Sequence, residues 1–150
     1  ISSLFVHFFF ILLAFIIFTI AGRMPGVAMI QIAYYMFCEI CLILALTYFT
    51  ASVTPFFRDM TQIINITTQL GIWLTPIMWD ESTMPAWVMY ILRLNPMYYI
   101  VTGYRDCFIY GKWITQHSGI TVYFWILVII LAIIGSRTFN KMRVHFADVL

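Results

Sequence analysis

The opening residues, ISSLFVHFFFILLAFIIFTI, run for twenty positions with His7 as their one titratable side chain. Such a run matches the roughly 30 Å hydrocarbon core of a bilayer, which about 20 helical residues cross. Composition points the same way: 63% of the 150 residues are hydrophobic, 9% are charged, and the mean hydropathy is +0.96. A soluble domain carries roughly 25% charged residues, so a water-soluble globule is excluded. The apolar runs are continuous rather than alternating, which selects an all-α integral membrane fold over a β-barrel. A net charge of +2 gives no basis for a nucleic-acid partner.

Breakers divide the chain into four expected transmembrane helices, at about 1–20, 27–53, 61–79 and 120–134. Gly22, Pro25 and Gly26 make the first turn, and Pro55 closes the second span. The chain begins inside an apolar run, without Met, a basic n-region or a small-residue cleavage site. It therefore reads as a fragment whose beginning is missing rather than as a signal peptide. A basic tail at 137–150 carries Arg137, Lys141 and Arg143 next to the last span, and the positive-inside rule places it in the cytoplasm.

Between the third and fourth spans, two shorter helices are expected at about 85–95 and 96–110. Ser82 or Thr83 is positioned to cap the first, with Pro85 at its start. Asn95 and Pro96 repeat the same start signal, and Gly111 suits the end of the second helix. Each helix rises only about 16 to 22 Å, too short to cross alone. They read as an outward re-entrant hairpin, the alternative being one kinked helix on the membrane surface.

Four groups of residues could carry function. On the third span, Thr61, Gln62, Asn65, Thr68 and Gln69 recur at spacings of three and four, so they share one face. Lipid cannot hydrogen-bond to that face; it lines a hydrophilic path or bonds to neighbouring helices. Glu39 is the one carboxylate deep within a span, and antiparallel folding of the first two spans brings His7 near its level. In the hairpin, Tyr98, Tyr99 and Tyr104, with Trp113 just beyond, suit either an interfacial aromatic belt or stacking on sugar rings. Arg105 suits phosphate or carboxylate, while its neighbour Asp106 diverges from it and needs another partner, for which Arg93 is available.

Cys38 and Cys41 have CxxC spacing, but they lie within an apolar helix with no second cysteine pair, so helix packing is the better reading. The "NIT" sequon at Asn65 lies inside the membrane and is discarded. No Walker A motif, Ser/His/Asp order, HExxH or metal-ligand spacing occurs, and no catalytic residue or metal site is expected.

An ordered set of motifs carries a family resemblance: "FFRD" before a span ending "TPIMW", a loop with "MP", then "RLNPMYYIVTGYRDCFIYGKW", a last span and "HFADVL". The chain resembles the C-terminal part of the permease subunit of ABC-2 type exporters of lipid-linked polysaccharide, most closely the teichoic acid translocation permeases. The resemblance implies that the four spans are the third to sixth of six, in a homodimer above two ATP-binding subunits. ATP and Mg would belong to those subunits, with no cofactor in this chain. The substrate would be a lipid-linked teichoic acid, with O-antigen or capsular polysaccharide as the alternative. The path would be lined by the stripe from Thr61 to Gln69, Trp73, Tyr98, Tyr99, Tyr104 and Arg105, and Arg58 and Asp59 would lie in an ATPase-side loop. From other classes, a non-transporting structural protein leaves the motif order unexplained. A membrane enzyme on lipid-linked sugars would have only Asp80, Glu81 and Asp106 to use.

Overall fold

The apolar runs fold as helices joined by short turns. The computed structural model describes residues 2–22, 26–54, 56–57, 59–77, 79 and 83–142, and no strand occurs among the described residues. In chain order, α1 spans Ser2–Ile20, and a 3₁₀ turn at Val27–Ile30 leads into α2, Gln31–Val53. Next come α3, Met60–Leu74, and α4, Ala86–Leu92. Then α5, Pro96–Arg105, runs on into a π turn at Asp106–Tyr110, and a second 3₁₀ turn at Ile114–His117 leads into α6, Ser118–Met142. Two stretches, Val27–Val53 and Ser118–Lys141, are long and apolar enough to cross a membrane, while Phe5–Ile20 is apolar but shorter.

The centre of the fold is the α2–α6 pair, which packs along most of its length. Ile32, Tyr35, Cys38, Leu42 and Ala45 recur at steps of three and four, so α2 presents one continuous buried stripe. Phe124 and Val128 answer from α6. At Gly135 the helices come close enough that an added Cβ would lie 2.9 Å from the Phe49 backbone nitrogen and 3.3 Å from the Ala45 carbonyl oxygen. Small residues at such a crossing let backbones approach, and in lipid that packing replaces the hydrophobic effect as the cohesive force.

Tyr99, Ile100 and Cys107 carry α5 and its π turn into the same core. Gly103 permits this: a Cβ there would collide with the Tyr35 ring. The start of α5 is locally encoded, since the Asn95 side chain accepts a hydrogen bond from the Met97 N–H at 3.0 Å and Pro96 opens the first turn. Beside it, Met89 and Leu92 of α4 and Tyr98 of α5 form a smaller cluster.

Several boundaries differ from those expected. The helix expected over 61–79 stops at Leu74, because Pro76 drives Thr75 into an extended conformation, with ψ of 136°. It covers 15 residues, or about 22 Å. For α4 the cap position is Pro85 itself, without a side-chain cap, rather than Thr83; Ser82 lies outside the described residues. That helix ends at Leu92 rather than 95, and the chain turns through 93–95 before α5. In contrast, α6 runs eight residues beyond 134, to Met142. Its extension carries Arg137 and Lys141, because hydropathy marks the hydrocarbon thickness and not the helix end.

Candidate functional site

Polar side chains in this apolar fold collect in three places. The first joins α1, α2 and α5. His7 Nε2 lies 3.0 Å from Glu39 Oε2, and the Tyr104 hydroxyl donates to the same carboxylate oxygen at 3.3 Å. His7 Nε2 is also 3.1 Å from the Tyr104 hydroxyl, closing a triangle. The helices α1 and α2 alone set the His7–Glu39 level; Tyr104, reached from 65 residues further on, supplies the third member.

The second place is a cleft of about 180 Å³ beside α5. Arg93, from the turn after α4, Arg105, from the end of α5, and Lys112, from the loop after the π turn, all line it. Tyr98, Thr102 and Tyr110 line it too, and Asp106 contributes a buried carboxylate to the wall. The Arg105 Nη1 donates to the Pro76 carbonyl at 2.9 Å and to the Trp79 carbonyl at 3.5 Å. Lys112 Nζ sits 5.1 Å from the centre of the Tyr110 ring. The loop is set by Gln31, a 7% exposed side chain at the start of α2. Its Nε2 donates to the Lys112 carbonyl at 3.2 Å, and its Oε1 accepts from the Ile114 N–H at 2.7 Å. Gly111, at φ +62°, makes the turn that allows this return, a conformation open to glycine at little cost.

The third place is α3. Thr61, Gln62, Asn65, Thr68 and Gln69 are all exposed, as is Trp73, and none of the described residues within α3 is buried. Thr68 returns its hydroxyl to the Ile64 carbonyl at 2.8 Å. The helix is tied to the rest at its C-terminal end. Asn95 Nδ2 donates to the Thr75 hydroxyl at 3.1 Å, and Arg105 holds the Pro76 carbonyl.

The residues singled out in the sequence are therefore divided. His7, Glu39 and Tyr104 meet; Arg105 reaches the cleft, and the α3 stripe stands apart from both. Tyr98 and Tyr99, at 2% and 4% exposure, are packed in the two apolar clusters and also line the cleft. Tyr99 shares a hydroxyl contact of 3.2 Å with Tyr34, which receives the Trp125 indole N–H at 2.8 Å. Trp113 is exposed beside the cleft's loop. Asp59 occupies the cap position of α3 without a side-chain cap, while Arg58, Asp80 and Glu81 lie outside the described residues. Cys38 and Cys107 are buried, and all three cysteines are free thiols. Sequence reasoning missed Gln31, Lys112 and Tyr110. Their only signal was that Arg93 and Lys112 bracket α5 and its π turn, one at each end.

Residues 1–109 match the family model of the ABC-2 type transporter. The chain belongs to that family. Its members are membrane components of transporters, and the two long apolar helices of this ABC-2 chain agree with an integral membrane protein. Two curated relatives, both from Klebsiella pneumoniae and both named O-antigen export system permease protein RfbA, are 30% and 28% identical over 95 residues. The match covers 63% of this chain and 36% of each relative, so the ABC-2 chain spans little more than a third of the proteins it resembles.

Proposed function

We propose that this ABC-2 chain is part of the permease subunit of an exporter that moves a lipid-linked polysaccharide across the cytoplasmic membrane, powered by a separate ATP-binding subunit. The likeness to two O-antigen export permeases carries the reading. It makes O-antigen the first polymer to test, and teichoic acid, implied by the ordered motifs through residues 95–113, the second. The permease itself catalyses no reaction in this scheme; ATP and Mg are held by the partner.

In the full subunit, α1, α2 and α6 would be three of the third to sixth spans, α3 with the extended segment after it would make the other, α4 and α5 would form an outward re-entrant pair, and the tail would be cytoplasmic. A second copy would face α3. Its stripe of Gln62, Asn65 and Gln69 has an exposed apolar face turned away from it, with Ile63, Leu70 and Leu74. Lipid suits the second face and not the first, so the polar face calls for protein or water. A path between two α3 helices would let the glycan pass while its lipid stays in the bilayer. Arg58 and Asp59, before α3, would lie towards the ATPase.

Co-purification of the full-length protein with its ATPase, followed by hydrolysis assays with each lipid-linked polymer, tests this. A bound ATPase stimulated by O-antigen lipid supports the first polymer, and stimulation by teichoic acid lipid alone selects the second. Absence of any bound ATPase refutes the exporter reading.

A further inference from the structure

The cleft beside α5 combines features that an aromatic belt does not need. Three basic side chains, Arg93, Arg105 and Lys112, line one space together with a single carboxylate, Asp106. Like charges gathered in one space repel, and the repulsion falls when an anion joins them. Among the described residues, one carboxylate, Asp106, faces three cations there. Two carbonyls orient the Arg105 guanidinium without neutralising it, and the Tyr110 ring face offers Lys112 only a quadrupole.

The geometry also shows that the charges are placed. Gln31 fixes both sides of the turn carrying Lys112, through the Lys112 carbonyl and the Ile114 N–H. Arg105 is fixed by the carbonyls after α3, and Arg93 follows α4 by one residue. At about 180 Å³, the cleft has the volume of about six water molecules at ~30 Å³ each. That admits a phosphate or carboxylate with part of a sugar ring. Thr102 and the exposed Tyr110 supply a hydroxyl and an aromatic ring suited to the sugar.

We propose that this cleft binds an anionic glycan, one bearing phosphate or carboxylate groups, with Arg93 and Lys112 contacting the anion and Arg105 holding a fixed positive charge behind them. The assignment rests on the exporter reading and narrows it: the cleft favours acidic polymers over neutral ones.

The test uses the full-length permease with its ATPase subunit in phosphatidylcholine nanodiscs. Four probes are titrated: a glycerol phosphate oligomer, an oligogalacturonate, a neutral oligogalactoside and inorganic phosphate. Both acidic oligomers bind more tightly than the neutral one and than inorganic phosphate. Arg93→Gln and Lys112→Gln each weaken the acidic oligomers by about tenfold, the loss expected for one charge-assisted contact, and leave the neutral oligomer unchanged. Both residues are exposed, so neither substitution opens the core. Equal affinity for acidic and neutral oligomers, or indifference to both substitutions, overturns the proposal. Inorganic phosphate binding as tightly as the oligomers overturns its glycan half. If no lipid-linked glycan stimulates the unmodified complex, the exporter reading falls with it; stimulation without acidic preference removes the cleft assignment alone.

Discussion

Glu39 serves two partners from one oxygen, with His7 at 3.0 Å and the Tyr104 hydroxyl at 3.3 Å. Because His7 also lies 3.1 Å from the Tyr104 hydroxyl, removing either Glu39 or His7 breaks two contacts of the triangle and keeps the third. Glu39→Ala and His7→Ala are therefore each expected to cost about 1 to 2 kcal/mol, in the range of polar contacts between membrane helices. Unfolding by SDS in mixed micelles measures both; an unchanged stability for either would contradict the triangle. Cys107 makes a separate prediction. Cys107 is buried among residues of α2 and α6 while Cys41 is half-buried, so N-ethylmaleimide should modify Cys41 well before Cys107. Modification of Cys107 as fast in the native state as in SDS would refute this burial.

At the scale of elements, the α2–α6 crossing depends on the absence of one methyl group. Gly135→Ala places a carbon 2.9 Å from the Phe49 nitrogen, a backbone atom that cannot swing aside, so the helices must separate. A loss of about 1 to 3 kcal/mol is expected, as for other overpacked sites, and thermal unfolding in detergent would show it. Gly119, with open space around its position, is the control: Gly119→Ala should cost nothing measurable. The elements also show what a sequence can disclose. The start of α5 was legible because Asn95 and Pro96 act within three residues of each other. The early end of α3 needed only Pro76 to be weighed against apolarity. By contrast, the π turn at Asp106–Tyr110 has no local signature, and it aims Asp106 and Cys107 inward because of what α2 and α6 present to it. Gln31 was unreadable for the same reason, since its partners lie 81 and 83 residues away.

For the whole molecule, α3 separates two expectations about Arg105. If the arginine served only the glycan, Arg105→Ala would lower export alone. Because its guanidinium also holds the Pro76 and Trp79 carbonyls, the substitution should in addition loosen the α3–α5 junction. Protease sensitivity after Leu74 would then rise, while assembly with the ATPase would persist. If a second copy faces α3, Asn65→Cys should form a disulfide-linked dimer in oxidised membranes, and Ile63→Cys, on the other face, should not. The reverse pattern would place the path elsewhere.

Gln31 has a consequence beyond its two bonds. A loop on a flexible tether moves with solvent, but this one is fastened to the first turn of a 23-residue helix. If α2 rocks in the assembled protein, the helix acts as a lever and the amide as the pin that passes its motion to Lys112. Should the cleft hold an acidic polymer as proposed, its grip would loosen and tighten in step with the tilt of that helix.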